Sequence, residues 1–281
     1  MIKDYYLLTK PGIIYGNSLS VIAGFFLASK GIFEPLLFIA TLVGISLVIA
    51  SGCVINNYID RDLDKKMERT RKRALVKKTI NVRDAFIFAA LLAFFGFGTL
   101  YNFTSQLAAF VAFIGFFFYL VMYTVFKRKS VHGTVVGSIS GAVPPVVGYT
   151  AVTNNFDLAA LFLFLLLVLW QMPHFYSIAL FRLKDYTATG LPILPVVKGI
   201  KVTKIYIICY IIGLIITIPL LTYFNYTGPI YLIVMLVLSF CWLALGISGF
   251  RAKDTTIWAK KMFRFSLIVL LALCVMISIG I

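Results

Sequence analysis

Asn56, Asp60 and Asp64 recur at intervals of four residues directly after an apolar run, a spacing that suggests chemistry. In a helix, residues four apart lie on one face, so these three side chains would project together. At an effective dielectric of about 20, two carboxylates about 6 Å apart repel each other by about 2–3 kcal/mol. The spacing therefore predicts that something cationic lies between the carboxylates.

The residue types in this row favour a particular cation. Carboxylate and amide oxygens are the hard ligands that Mg²⁺ prefers, and proteins often share Mg²⁺ with substrate phosphates. A separate basic block follows, formed by Arg69, Arg71, Lys72 and Arg73. The simpler alternative is a solvated helix on which the carboxylates pair with Arg61, Lys65 and Lys66, as most mixed charge runs do. We favour the metal–diphosphate interpretation because the acidic residues cluster where an apolar helix ends.

The rest of the chain must hold this row inside a membrane. With 61% hydrophobic residues, 13% charged residues and a mean hydropathy of +0.99, the chain is too apolar for a soluble protein. Its apolar stretches are long enough to cross about 30 Å of hydrocarbon as helices. We therefore predict an all-α polytopic membrane protein with nine transmembrane helices, near 11–29, 35–57, 84–102, 106–126, 133–152, 157–180, 205–223, 229–249 and 262–280.

Charge placement predicts how the nine helices are oriented. If the N-terminus is cytoplasmic and the C-terminus external, every Lys and Arg except Lys30 falls on the cytoplasmic side. The net charge of +16 is then a topology signal, with attraction to anionic lipids or substrates, and nucleic acid is a poor explanation for it. No cleavable signal precedes the first span. We expect one membrane domain, 1–281, in a prokaryotic plasma (inner) membrane, with its site facing the cytoplasm.

The aspartate row belongs to a longer pattern of motifs. Residues 56–64, followed by Met67, Arg69 and Thr70, are similar to the first aspartate-rich motif of the UbiA superfamily of intramembrane prenyltransferases, whose members have nine helices. Tyr123 with Lys127-Arg128, and residues 141–145, resemble the middle of that pattern. Residues 170–175, and Asp185-Tyr186 leading to 191–195, are similar to the branch whose acceptor is haem. The resemblance extends from Thr9 to about residue 265.

This resemblance implies a reaction. Members of that branch transfer a farnesyl group from farnesyl diphosphate to a vinyl group of protohaem IX (haem B), with addition of water, giving haem O for haem–copper terminal oxidases. The implied cofactor is Mg²⁺, and the implied surroundings are the lipid bilayer. A haem A synthase and a terminal oxidase assembly factor are candidate recipients of the product.

The resemblance also implies roles for individual residues. Asn56, Asp60 and Asp64 would hold the metal, and the candidates for diphosphate contact are Arg69, Lys72, Lys127, Tyr123 and Lys184. The second acidic motif is reduced to Lys184-Asp185-Tyr186. Asp185 either binds Mg²⁺ through water or holds Lys184 or Arg182 in place, and a helix cap is the simpler alternative. Tyr123 would share a helix face with Lys127, although a packed interface tyrosine is nearly as good an explanation.

His174 is the candidate for haem contact. An ionisable residue near a membrane span is a functional candidate, and imidazole is a common ligand of haem iron. Pro173 frees a backbone carbonyl one turn earlier, which would break the helix locally. The alternative is a histidine hydrogen-bonded by a neighbouring helix. His132 is expected to face solvent, and Cys53, Cys209, Cys241 and Cys274 are expected to be small core residues.

Three other functions remain as alternatives. The first is a prenyltransferase of the same superfamily acting on an aromatic acceptor such as a hydroxybenzoate, a quinone precursor or a chlorophyllide. The second is a membrane transporter, although transporter carboxylates usually lie near the bilayer midplane, whereas here the acidic residues map to span ends or loops. A structural membrane subunit would not explain the Asn/Asp row.

Overall fold

The computed structural model describes residues 2–279, and over this range the protein is helical with no β-strand. The helices, in chain order, are α1 (Ile2–Leu8), α2 (Pro11–Ser29), α3 (Pro35–Ile59), α4 (Arg61–Asp64), α5 (Ala74–Lys77), α6 (Val82–Phe103), α7 (Gln106–Phe117), α8 (Tyr123–Lys129), α9 (Gly133–Thr153), α10 (Leu158–Phe181), α11 (Leu183–Thr189), α12 (Leu194–Val197), α13 (Gly199–Tyr223), α14 (Pro229–Ser248) and α15 (Thr255–Ile279).

Within the described residues, nine helical segments are long and apolar enough to cross a membrane. The fourth joins α7 to α8 through a π-helical turn, Phe118–Met122, and the eighth extends α14 by a 3₁₀ turn to Arg251. This confirms the nine spans predicted from hydropathy. Gly280, the end of the last predicted span, lies outside the described residues.

Local sequence signals set the helix starts. Proline occupies the first turn of α2, α3 and α14, where its missing N–H costs no hydrogen bond. The Asp157 carboxylate caps α10 by accepting hydrogen bonds from the backbone N–H groups of Ala159 and Ala160. Asp157 also accepts a hydrogen bond from the Tyr149 hydroxyl at 2.7 Å, which ties the end of α9 to the start of α10.

The bundle is centred on α9 and α10. Helix α9 packs against α2, α7 and α10, and α10 packs against α13 and α15. Helix α15 returns to α2, while α3 and α6 form a pair beside them. Tyr176, Trp242, Leu163 and Ile211 are among the largest fully buried side chains of this core. Exposed Phe, Ile and Leu side chains cover the outside, as expected of helices that face lipid.

The cysteine prediction is half wrong. Cys53 and Cys274 are buried, but Cys209 and Cys241 are exposed. Both exposed thiols lie on α13 and α14, where the outward face needs only to be apolar and need not be packed by protein. His132 is exposed, as predicted.

Candidate active site

The predicted row of oxygen donors is present at the end of α3. Helix α3 ends at Ile59, yet the N–H of Asp60 bonds to the Asn56 carbonyl at 2.9 Å and the N–H of Asp64 bonds to the Asp60 carbonyl at 2.8 Å. The helical register therefore continues into α4. Asn56 and Asp64 are 3% and 4% exposed, and Asp60 is half-buried. The row lies at the boundary between the bundle and the loop that follows.

Each member of the row is paired with a basic side chain from a different part of the chain. The three pairs are Lys10 Nζ with Asn56 Oδ1 at 2.7 Å, Lys127 with Asp60, and Arg73 Nη1 with Asp64 Oδ2 at 2.6 Å. Arg128 lies 3.8 Å from Asp60 as well. The expected cations therefore come, in this structure, from three separate segments of the protein.

The local charge-pair alternative fails for the residues that it named. Lys65 bonds to Asp62 at 3.2 Å on the exposed side of α4. The Arg61 guanidinium lies over the Tyr58 ring, 4.1 Å from its centroid. Lys66 is exposed. The carboxylates of the row pair instead with Lys127 and Arg73, which lie outside α3 and α4.

The basic block after α4 divides between the site and the surface. Arg73 is in the site, whereas Lys72 is exposed and Arg71 pairs loosely with Glu68 at 4.0 Å. Arg69 is largely accessible. The pKa of its guanidinium is lowered by partial desolvation, then by repulsion from Arg73 and Arg182. Arg69 thus lies close to two other cations, an arrangement that an anion would stabilise.

The loop segment at α11 lies close to Arg69 of the basic block. Arg182 pairs with Asp185 at 3.6 Å, which matches the interpretation that Asp185 holds Arg182 in place. The pKa of Tyr186 is raised by burial, although the nearby Arg69 and Arg182 oppose that rise. Lys184 is exposed on the other side of α11, in a surface pocket with Leu180, Thr187, Ile200 and Thr255 among its lining. Lys184 is therefore not among the side chains gathered around the row.

Two tyrosines form a wall beside the row. Tyr119 and Tyr123 stack with centroids 6.0 Å apart and planes 7° from parallel; Tyr119 lies within the π-helical turn and Tyr123 follows it directly. Lys127 Nζ lies 5.0 Å from the centroid of the Tyr123 ring. Tyr123 and Lys127 share a helix face, as the sequence predicts. The stacked rings of Tyr119 and Tyr123 give the site an aromatic surface.

His174 belongs to a second group of polar side chains, which lies between α10 and α15. Its Nδ1 is 2.7 Å from the Ser266 hydroxyl, and the Ser266 hydroxyl donates to the Phe263 carbonyl at 2.6 Å. When the Ser266 hydroxyl gives its one proton to Phe263, a neutral His174 donates from Nδ1 to Ser266, and Nε2 keeps its lone pair. Trp170 stacks on the imidazole at 4.9 Å and donates its own N–H to the Ser266 carbonyl. The predicted hydrogen bond to a neighbouring helix is therefore present, and it leaves Nε2 able to accept or ligate.

The donor atoms of the row fit a hard divalent cation. No cluster of three His, Cys, Asp or Glu residues with metal-binding geometry occurs in residues 2–279. The row instead offers two carboxylates and one amide, a set that needs further oxygen ligands such as phosphates. Asn56 Nδ2 is buried and has no hydrogen-bond partner among residues 2–279. A buried amide nitrogen of this kind is costly unless a ligand completes the site.

Sequence reasoning missed several residues of the site. Lys10 and Tyr119 were not candidates, Arg73, Arg128 and Tyr186 were named within motifs but given no role in the site, and Arg182 was named only as a partner of Asp185. Lys10 was the hardest to find, because it lies 46 residues before Asn56 in sequence. Its only signal was membership of the Thr9-Lys10-Pro11 segment at the start of the resemblance.

The fold and the site define a multi-pass membrane protein with a row of oxygen donors and a basic cluster at one end of the bundle. A profile of the UbiA prenyltransferase family matches residues 17–268, and the chain belongs to this family.

Similar proteins agree over nearly the whole length. The chain is 53% identical over 280 residues to a protein of Edwardsiella ictaluri named protoheme IX farnesyltransferase, covering 99% of this chain and 95% of that one. A Photorhabdus laumondii protein of the same name is 52% identical with the same coverage.

Solved structures show the same fold. A structure reported for digeranylgeranylglyceryl phosphate synthase has a TM-score of 0.82 at 20% identity, covering 99% of this chain and 98% of that one. A UbiA homolog from Archaeoglobus fulgidus bound to DMAPP and Mg²⁺ has a TM-score of 0.73 at 16% identity, covering 95% and 99%.

Proposed function

We propose that this chain transfers a farnesyl group from farnesyl diphosphate to a vinyl group of protohaem IX, with addition of water, to give haem O. The observation that carries the proposal is the identity of 51–53% along almost the entire chain to relatives named protoheme IX farnesyltransferase. The site supplies a matching chemistry, because its donor row and basic cluster suit a metal–diphosphate substrate.

The first chemical step breaks the bond between the allylic carbon and the diphosphate oxygen. The electron pair leaves with the diphosphate, so negative charge grows on its oxygens. Asn56, Asp60 and Asp64 are positioned to hold Mg²⁺, which supplies Lewis-acid stabilisation of the leaving group when bound. A UbiA homolog solved with Mg²⁺ and DMAPP supports this use of a divalent metal.

Basic side chains would stabilise the same charge. Lys127 and Arg73 now neutralise Asp60 and Asp64, and they lie where diphosphate oxygens would meet the row. Arg can hold a phosphate through two parallel hydrogen bonds, whereas Lys acts as a point charge. Arg69, which lies near Arg73 and Arg182, would be a further contact, and Asp185 pairs with Arg182; Lys72, exposed in the same loop, would reach the diphosphate only from the surface. Fixed cations of this kind are already in place when the bond breaks, so they need no reorganisation.

The farnesyl cation that remains must be sheltered from water until haem attacks. The stacked rings of Tyr119 and Tyr123 present π-faces beside the row, and such faces attract cations. The vinyl π-electrons of protohaem form the new carbon–carbon bond. Water then adds to the cation left on the haem side chain and releases a proton.

The haem would lie toward α10 and α15. His174 keeps Nε2 unprotonated because Nδ1 donates to Ser266, and Trp170 and Phe263 flank the imidazole. An unprotonated imidazole nitrogen is a ligand for haem iron. We therefore assign His174 to haem contact.

Orientation follows from charge. The row lies on the side that holds all Lys and Arg except Lys30, so the site faces the cytoplasm if the positive-inside rule holds. We infer a bacterial inner-membrane location, a cytoplasmic N-terminus and a single domain over 1–281. The product would pass to a haem A synthase or to oxidase assembly.

The direct test is product mass. Purified, detergent-solubilised protein is incubated with haem, farnesyl diphosphate and Mg²⁺, beside an identical sample containing EDTA. The proposal expects a haem heavier by one farnesyl group plus water in the complete reaction alone. Equal product with EDTA would refute the metal assignment, and unmodified haem would refute the acceptor.

A further inference from the structure

Lys10 occupies an unusual backbone conformation at the edge of the site. Its φ of 54° and ψ of 65° lie in the left-handed region, and Pro11 follows it directly. A non-glycine residue rarely adopts this region, and a following proline restricts the backbone further. Such a conformation persists only where the surrounding structure fixes it.

The residues just before Lys10 are fixed by contacts that do not involve its side chain. Asn57 Nδ2 donates to the Leu8 carbonyl at 2.8 Å and to the Cys53 carbonyl at 2.9 Å. The Leu8 side chain is 3% exposed and belongs to a small apolar cluster with Val54 and Leu75. The N-terminal segment, residues 2–10, is thereby attached to α3 directly beside Asn56.

The Lys10 ammonium differs from the other two cations of the row. Lys127 and Arg73 each face a carboxylate, whereas the one hydrogen-bond acceptor found for Lys10 Nζ in residues 2–279 is the neutral amide oxygen of Asn56. Asp60 and Asp64 attract the Lys10 ammonium from a distance, but its hydrogen bond goes to an amide oxygen, which does not neutralise a desolvated ammonium group. Asn56 Nδ2 is in addition buried, and the part of the chain that the structure describes offers it no hydrogen-bond partner. The Lys10–Asn56 pair is thus charged and incompletely satisfied, beside a row that fits a metal and its anionic ligand.

We propose that Lys10 is a diphosphate-binding residue: its ammonium leaves Asn56 Oδ1 and donates to a diphosphate oxygen when farnesyl diphosphate binds. This inference rests on the proposed function and extends it, because it makes the N-terminal segment part of the substrate site. In this structure, Lys10 donates to an oxygen that the metal would use. Lys10 should therefore oppose metal binding in the free protein and favour diphosphate binding in the complex.

A substitution that removes the Lys10 charge should therefore change metal affinity and diphosphate affinity in opposite directions, and both affinities can be measured. The full-length protein in detergent is titrated with Mn²⁺ alone, followed by electron paramagnetic resonance, and with farnesyl S-thiolodiphosphate in the presence of Mn²⁺. Lys10→Met should weaken binding of the diphosphate analogue about ten- to a hundredfold, because a charged hydrogen bond is lost. It should also tighten binding of Mn²⁺ alone at least about fivefold, because a positive charge next to the metal oxygens is removed.

Two variants separate charge from structure. Lys10→Arg keeps the charge and should bind the analogue within about threefold of the wild type. Lys3→Met removes an exposed lysine from the same segment and should change neither affinity.

An unchanged affinity of Lys10→Met for the analogue would overturn the assignment. So would a parallel loss of both affinities that Lys10→Arg fails to restore, because that result indicates a merely structural lysine. If the wild type itself fails to bind the analogue, the proposed function falls and the Lys10 assignment falls with it. If the wild type binds the analogue and Lys10→Met binds it with the same affinity, only the Lys10 assignment is refuted.

Discussion

At the scale of single residues, the site depends on how donors and cations are matched. Lys127 is buried against Asp60, and Arg73 is half-buried against Asp64. Removing one member of a buried pair leaves its partner charged and uncompensated. The charged pairs also mark the oxygens and cations that a metal–diphosphate complex would engage, so small changes here should affect chemistry more than folding.

Asp60→Asn should lower the rate of haem farnesylation at least about a hundredfold, comparable to the loss of one preorganised charge-stabilising group. The variant should still fold, because the asparagine oxygen remains available to Lys127. The matched control is Asp62→Asn, whose exposed carboxylate pairs with Lys65 on the outer side of α4. Steady-state turnover measured by product mass decides the question, and normal turnover by purified Asp60→Asn would end the metal assignment.

His174→Ala should weaken haem binding about tenfold while leaving affinity for a farnesyl diphosphate analogue unchanged. The physical reason is the loss of Nε2, which Ser266 keeps unprotonated by accepting from Nδ1. Optical titration with haem measures the effect. His132→Ala, at an exposed position, is the control and should bind haem normally. A His174→Ala titration curve identical to that of the wild type would return His174 to a packing role.

At this scale, residues close together in sequence were predictable, and residues brought to the site from distant segments were not. The sequence predicted the row because Asn56, Asp60 and Asp64 follow one another at helical spacing, and that spacing determines the direction in which the side chains project. Lys10 and Arg73 reach the same oxygens from other segments, and no periodicity relates them to the row. Long-range pairing of this kind appears only when the helices are packed.

At the scale of helices, close contact between α2 and α9 depends on two glycines. A Cβ at Gly24 would lie far inside van der Waals contact with the Pro145 carbonyl oxygen, and a Cβ at Gly148 would meet the Val21 carbonyl in the same way. Small residues let membrane helices approach at the backbone. The α2–α9 contact is among the most extensive in the bundle, and α2 begins next to Lys10.

Gly24→Ala should destabilise the protein by about 1–3 kcal/mol, because the added methyl forces the two backbones apart. The measurement is the apparent unfolding temperature in detergent, followed by size-exclusion chromatography after heating. Gly98→Ala is the control, since a Cβ there meets nothing within 4 Å. Equal stability of Gly24→Ala and the wild type would contradict the close helix contact.

The sequence predicted which helices form, but it predicted the residues at which they begin less accurately. Helix α13 begins at Gly199 and α15 at Thr255, where hydropathy predicted 205 and 262. Lys201 and Lys204 lower the hydropathy at the first start, and Lys260, Lys261 and Arg264 at the second. The backbone hydrogen bonds continue through these residues because lysine and arginine are good helix formers; the long side chains can carry their charged ends to water, and the buried Lys204 ammonium donates to the Gly249 carbonyl instead.

At the scale of the whole molecule, charge asymmetry should fix the orientation in the membrane. Lys66→Cys, in the loop after α4, should react with a membrane-impermeant maleimide only from the cytoplasmic side. Asn155→Cys, in the loop between α9 and α10, should react only from the outside. Both positions are exposed, and the unmodified protein controls for Cys209 and Cys241. Labelling of Lys66→Cys from outside would overturn the proposed topology.

The proposed function depends on haem being the acceptor of the prenyl group. Haem and 4-hydroxybenzoate are supplied together at equal concentration to the purified wild-type protein, with farnesyl diphosphate and Mg²⁺. Mass spectrometry then measures both possible products from the same sample. We expect farnesylated, hydrated haem and no prenylated hydroxybenzoate. Prenylated hydroxybenzoate beside unmodified haem would contradict the account, leaving the fold and the family in place but assigning the site to a different acceptor.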